Sequence, residues 1–530
     1  MHCFHGSQVE YESYIYICKR HLSFTFIQKA TQSDFVCYIL ASSQQRAIKP
    51  DPMIEEITIS QLFTNILLPV YVIITLSLIL VVITENRNPL KTIAWVLVLL
   101  FAPFIGLIFY FFFGQDNRKQ RIISRRSYKR LTKYPSRELY QHAKTEASGH
   151  YKPLATLLYN NAKATILQGS YIEPFTSGKE KFDKLKYELH KAQHHIHLQY
   201  YIIDDDKIGN EIKQILIEKA QAGVEVRVLY DDVGCWSVPS KFFKEMIEKG
   251  VEVHTFLRVA FPLLTSKVNY RNHRKIVVID GKCGFVGGMN IADRYVQGSD
   301  LGEWRDTHLF IEGQGVYGLQ SAFLVDWYVA SKKLIYSPSY FPACKLYGTN
   351  KLQIVTGGPV GPWRTLLQAS IWTIANAKKY VYIQTPYFLP TESINMALQT
   401  AALSGIDVRI MIPKYSDSKL VNFASRSYID EMLKAGVKIY FYTKGFLHSK
   451  TMIVDDYLSV IGSANLDFRS FEHNFEINAY MYDPELSVKM RNIYHFDENK
   501  CERVIPVMWF RRPLRKKIAE SVMRLFSPLL

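Results

Sequence analysis

Two uncharged stretches interrupt the alternation of apolar and polar positions along the chain. Residues 62–83 read LFTNILLPVYVIITLSLILVVI, and residues 92–113 read TIAWVLVLLFAPFIGLIFYFFF. Each run is 22 residues long, enough to cross a hydrocarbon core of roughly 30 Å. Neither has a polar face, which sets them apart from amphipathic core helices. Asn88 and Pro89 supply a cap and a first-turn proline for the second run. The pattern predicts a two-helix transmembrane hairpin within residues 53–115.

Beyond residue 166 the pattern changes. Short apolar runs of strand type alternate with stretches of helical period, such as NEIKQILIEKAQAG and ESINMALQTAALSG. The series occurs twice. AGVEVRVLYDD (222–232) matches SGIDVRIMIPK (404–414), and EKGVEVHTF (248–256) matches KAGVKIYFY (434–442). HHIHLQYYIIDDD likewise parallels KYVYIQTPYFLPT. This predicts two α/β units, residues 166–340 and 341–500, each a mostly parallel sheet flanked by helices. Spacing between landmarks drifts, so these are diverged duplicates and not a solenoid.

Charge adds a partner class. The net charge of +17 on 530 residues points to an anionic partner, with nucleic acid and anionic lipid both compatible. Eight Lys or Arg fall between Arg118 and Lys133, straight after the second apolar run. By the positive-inside rule this flank, within a basic linker over 116–165, is cytoplasmic, and the units after it are expected there too. The seven cysteines are scattered without a C-x-x-C pair, which argues against a disulfide framework or a zinc site. Residues 1–52 show no clear period, and translation is expected to begin at Met53. The tail, 501–530, contains PLRKKIAESVMRLF. It puts Leu514, Ile518, Val522 and Phe526 on one helical side, with Arg515, Lys516, Lys517 and Arg524 around them. Membrane-surface binding and packing on the catalytic core both fit that pattern.

The chemistry lies in HRKIVVID (273–280) and HSKTMIVD (448–455), two copies of one His–Lys–Asp spacing 175 positions apart. In extended backbone alternate residues share a face, so His273 pairs with Lys275, and His448 with Lys450. Asp280 and Asp455 end these strands as turn residues. GGMN and GSAN follow, placing Asn290 and Asn465 each 17 residues after its histidine. One unit therefore gathers an imidazole, an ammonium and an amide, and two facing units double the set. Such a pocket suits a phosphodiester: Lys and Asn stabilise the non-bridging oxygens, one His attacks phosphorus, and the other protonates the leaving oxygen.

H-x-K-x4-D followed by G-(G/S)-x-N resembles the phospholipase D superfamily. The hairpin with ENRNPLKTIAWVLVLL, WRDTH (304–308), PYFLP (386–390) and the terminal SPLL are similar, within it, to the bacterial cardiolipin synthases. The resemblance covers nearly everything from Met53 onward. It implies two tandem phospholipase D-like α/β domains and a phosphohistidine intermediate without metal or other cofactor. It places His273, Lys275, Asn290, His448, Lys450 and Asn465 in the pocket, with His273 as nucleophile and His448 as acid and base. Asp280 and Asp455 belong to the motif as supports. The family also places a carboxylate downstream to orient each histidine. Glu476, eleven residues after Asn465, matches; in the first copy Leu301 stands at that spacing and Asp306 is the nearest candidate.

The implied reaction is phosphatidyl transfer from one phosphatidylglycerol to another, giving cardiolipin and glycerol at a bacterial inner (cytoplasmic) membrane. Phosphatidylglycerol and anionic membrane lipids are the expected partners. A membrane phospholipase D hydrolase, or another phosphatidyltransferase of the superfamily, is the alternative use of the same pocket. A nuclease would exploit the positive charge, but two membrane spans argue against it, so no nucleic-acid partner is expected. An inactive membrane-anchored scaffold is disfavoured by intact motifs in both halves.

Overall fold

The computed structural model describes residues 63–84, 89–110, 149–259 and 269–527. The extension over 1–52 and the basic run between Arg118 and Lys133 lie outside the described residues. The chain divides into two compact units, Met1–Pro103 and Phe104–Leu530.

In the first unit a π-helical turn, Phe63–Leu67, leads into the helix Leu68–Thr84. Asn65–Thr84 forms 20 residues of mean hydropathy 3.0, and among the described residues it is the one helix long and apolar enough to cross a membrane. The expected second span is not continuous. The helix Pro89–Phe101 stops at Ala102, and a separate helix of 7 residues, Pro103–Phe109, follows. Pro103 has no N–H to donate into the ladder, and proline disfavours helical backbone in the residue before it, so the helix breaks there.

The second unit contains two sheets with the same central strand order. In the first repeat the order is Tyr171–Phe175, His308–Glu312, Cys283–Gly287, Ile276–Ile279, His195–Tyr200, Glu225–Asp231, Glu252–Phe256. In the second it is Leu167–Gln168, Lys351–Gly357, Glu476–Tyr482, Leu458–Gly462, Thr451–Val454, Tyr380–Gln384, Asp407–Pro413, Lys438–Tyr442, Cys501–Arg503. Both sheets are mixed, which corrects the expectation of mostly parallel sheets. Only the three strands joined by helical crossovers run parallel in each repeat, as in His195–Tyr200 with Glu225–Asp231 and Glu252–Phe256. The motif strand and its successor are joined by a tight turn through Asp280 (φ 54°) and Gly281 (φ 66°), or Asp455 (56°) and Asp456 (55°). Connections that short can only reverse the chain, so those pairs are antiparallel.

Each repeat buries its own apolar layer, and a third cluster joins them. Val278, Leu309, Phe323 and Trp327 of the first repeat pack with Ile453, Ile461, Ile477 and Met481 of the second. The helix Gly315–Ser331 at this junction is apolar almost all round, as a helix buried on every side must be. The helix Lys152–Ala162, in the stretch read as linker, buries Leu154, Ala155 and Leu158 in the second repeat's core. Leu167–Gln168 joins the second sheet beside Leu352 and Lys351.

Candidate active site

Both motif histidines lie just ahead of their strands, Ile276–Ile279 and Thr451–Val454, at the junction between repeats. Backbone pairing across that junction fixes them. The His273 N–H donates to the Phe475 carbonyl at 2.9 Å, and the Phe475 N–H to the Arg271 carbonyl at 2.9 Å. Its counterpart is a parallel pairing of Gly445–Leu447 with Glu303–Arg305, continued by the His448 N–H donating to the Arg305 carbonyl at 2.7 Å. Each histidine therefore runs beside a segment of the other repeat, and that segment carries the carboxylate.

The orienting pairs are crossed. His273 Nδ1 lies 3.0 Å from both Glu476 carboxylate oxygens, and His448 Nδ1 lies 2.6 Å from Asp306 Oδ2. Both carboxylates are wholly buried. Glu476 is braced by Ser463 Oγ and by Asn474 Nδ2 at 3.2 Å, and Asp306 accepts from the Thr307 N–H at 2.7 Å. With Nδ1 engaged as donor to a carboxylate, Nε2 is left as the reactive nitrogen of each ring.

Sheet register explains why Asp306 escaped the spacing match. Gly462 pairs with Asn478 and Gly287 with His308, so Glu476 and Asp306 each stand two positions before the residue opposite the motif glycine. They are structural equivalents. The interval from the motif asparagine is 11 residues in the second copy and 16 in the first, because the first carries a longer loop holding the short helix Arg294–Gln297.

His273, His448, Asn290 and Asn465 line one cavity of about 510 Å³. The Asn290 amide nitrogen donates to the Tyr295 hydroxyl at 2.9 Å, and that of Asn465 to Asp467 at 3.0 Å. Each amide keeps a second hydrogen for the cavity. Lys275 and Lys450 are buried against the histidines: Lys275 Nζ donates to the His273 carbonyl at 2.7 Å, and Lys450 Nζ lies 2.8 Å from His448 Nδ1. Asp280 and Asp455 are not in the cavity. At the far ends of the motif strands, Asp280 accepts the backbone N–H groups of Gln193, His194 and His195, and Asp455 those of Lys378, Lys379 and Tyr380. Each thus pins the start of the neighbouring central strand.

A model described as "Cardiolipin synthase, PLD-like domain" matches residues 185–310 and 371–497, once per repeat, and one described as "Phospholipase_D-nuclease N-terminal" matches 72–115. A cardiolipin synthase of Geobacillus sp. (strain WCH70) is 44% identical over 457 residues, covering 85% of this chain and 91% of that one. The major cardiolipin synthase ClsA of Bacillus subtilis (strain 168) is 40% identical over 479 residues, 88% of this chain and 99% of that one. The chain belongs to the cardiolipin synthase family of phospholipase D-like proteins. Among solved structures, the phosphatidylserine synthase of Haemophilus influenzae Rd KW20 shares the fold at a TM-score of 0.57 and 14% identity, covering 72% of this chain and all of that one.

Electrostatics follow from burial in this family pocket. Burial pushes both histidines below their ordinary pKa, His448 to about 4 with Lys450 adding to the effect; Glu476 and Asp306 oppose it. Burial likewise lowers Lys275 to about 7 and Lys450 to about 8, against the pull of the same carboxylates. Glu476 and Asp306 stay below the usual carboxylate range: the buried cations and histidines outweigh their desolvation. The resting site is a buried cluster of neutral imidazoles over two carboxylates, with Lys275 and Lys450 as the groups that can meet an anion.

Sequence reasoning missed several lining residues. Arg271, Arg294 and Arg469 add positive charge, Tyr201 and Tyr387 present rings to the histidines, and Asp417 accepts from the Tyr387 hydroxyl at 2.8 Å. Tyr387 sits in the quoted PYFLP. Arg271 carries a signal of its own, standing two positions before His273 on the same extended face. The rest had none.

Proposed function

We propose that this protein is a cardiolipin synthase that transfers a phosphatidyl group from one phosphatidylglycerol to another, without metal, through a phosphohistidine. The observation that carries the mechanism is the pair of histidines, one from each repeat, lining one cavity, each held at Nδ1 by a carboxylate of the other repeat. Neutral His273 attacks phosphorus through Nε2, and the P–O bond to glycerol breaks as His448 gives its proton to the departing oxygen. The primary hydroxyl of a second phosphatidylglycerol then loses its proton to His448 and attacks phosphorus. The P–N bond breaks, and cardiolipin leaves. Lys275, Lys450, Asn290 and Asn465 stabilise the charge on the non-bridging oxygens, and Glu476 and Asp306 hold the ring orientation. His448 takes up its proton once the diester is bound, because the phosphate charge offsets the cost of burial and the repulsion from Lys450.

Both reactants are bilayer lipids, which gives the apolar N-terminal segment its purpose. The two runs 62–83 and 92–113 then lie in the bacterial cytoplasmic membrane as a hairpin, with the repeats on the cytoplasmic side. Purified protein with head-group-labelled phosphatidylglycerol is expected to release glycerol and form cardiolipin in the presence of EDTA. Phosphatidic acid as sole product would replace the transferase by a hydrolase, and loss of turnover on chelation would end the metal-free mechanism.

A further inference from the structure

The C-terminal helix Leu514–Arg524 is inverted relative to a helix that packs on a core. Three of its five charged residues, Lys517, Glu520 and Arg524, turn toward the protein. Glu520, 3% exposed, accepts from Arg512 at 2.7 Å, Arg524 donates to Glu431 at 2.6 Å, and Lys517 donates to the Phe510 carbonyl at 2.8 Å. At 100° per residue the apolar positions fall nearly opposite. Leu514 is 70% exposed, Ile518 54%, Val522 44% and Leu525 77%. Just before the helix, Val507 and Met508 are exposed as well.

Contiguous exposed apolar surface of this kind marks a contact site. Three features point to a bilayer as the occupant. Arg511, Arg515 and Lys516 are exposed around the stripe. Glu520, the sole carboxylate between residues 504 and 526, is turned inward against Arg512, so the outer face carries no negative charge and, Ser521 apart, is cationic and apolar. The helix also packs on Lys419–Ser427, whose Ser418 cap and Val421 line the catalytic cavity while its Leu420 and Phe423 are exposed.

We infer that this face is an anionic-lipid docking surface that seats the rim of the catalytic cavity against the bilayer, so that substrate head groups enter while acyl chains stay in lipid. The inference deepens the proposed phosphatidyl transfer and rests on it for the purpose of docking, although the contact itself is measured separately.

The test uses the full chain in nanodiscs containing phosphatidylglycerol, with an environment-sensitive fluorescent amino acid at position 518. Quenching by doxyl-labelled lipid and a blue-shifted emission are expected. Water-like, unquenched emission overturns the inference, as does shielding that depends on protein concentration but not on doxyl lipid, which would mean a second copy of the chain. In parallel, Ile518→Glu with Val522→Glu is expected to raise KM for bilayer phosphatidylglycerol roughly tenfold. Turnover of a short-chain, monomerically dissolved phosphatidylglycerol should stay near wild type. An unchanged bilayer KM, or equal losses on both substrates, counts against docking. Absence of any transfer by the unmodified chain would instead sink the proposed reaction, leaving the quenching result to decide the surface.

Discussion

Crossed orientation of the histidines yields a sharp kinetic prediction. Glu476→Gln removes the carboxylate that lies 3.0 Å from His273 Nδ1 while keeping its shape. A hydrogen bond to a charged partner contributes about 1.5–3 kcal/mol, and here it also selects the tautomer that leaves Nε2 as nucleophile. A loss near 3 kcal/mol corresponds to roughly a hundredfold slower turnover. Asp306→Asn should cost a similar amount, but at His448, 2.6 Å away. A phosphatidyl ester of p-nitrophenol separates the two, because its leaving group departs without a proton. With it, the first half-reaction should recover in Asp306→Asn and His448→Ala, and stay slow in Glu476→Gln and His273→Ala. The assay is stopped-flow release of nitrophenolate, with acid-stable counting of the glycerol burst on phosphatidylglycerol. If Glu476→Gln behaves like His448→Ala, each carboxylate serves its own repeat and the crossed reading fails.

Other consequences follow from the same geometry. Lys275 and Lys450, held near 7 and 8, lose charge as pH rises through those values, so KM for phosphatidylglycerol should climb above about pH 8. Lys450→Ala should flatten that limb of the pH profile. A Cβ at Gly288 would come 2.1 Å from Asp306 Oδ1, so Gly288→Ala should displace Asp306 from His448 and cut turnover at least roughly tenfold, read by the same assay. Asp455→Ala strips three backbone N–H groups of their acceptor; those of the exposed Lys378 and Lys379 can turn to water, so at about 1–3 kcal/mol for the Tyr380 N–H it should lower the calorimetric midpoint by a few degrees. Asn290→Ala, a cavity substitution, should reduce activity with a much smaller change in midpoint on the same calorimeter.

Much of this protein was legible from its residues. Local spacing carries burial and backbone constraint, so the duplicated H-x-K-x4-D, the matched asparagines and the α/β alternation can be read along the chain, while Glu476 is what the family resemblance implies. Glu476 matches the family position because the second copy has a short loop, whereas the longer loop of the first copy puts Leu301 at that spacing and Asp306 beyond it. Only sheet register, set by the pairing of Gly287 with His308, aligned them. Sheet direction was misjudged for a related reason: helical crossovers announce parallel strands in the sequence, while the reversal at Asp280–Gly281 reads merely as a turn. The tertiary structure alone decided which carboxylate meets which histidine. That choice depends on the His273–Phe475 and His448–Arg305 backbone bonds, formed between segments about two hundred and about one hundred and forty residues apart. It also decided which side of the C-terminal helix faces out, since amphipathic spacing defines two faces but not which one meets the core; there Arg512 and Glu431, the partners of Glu520 and Arg524, drew these charges inward. Periodicity is a property of neighbours along the chain, and the site is a property of neighbours across it.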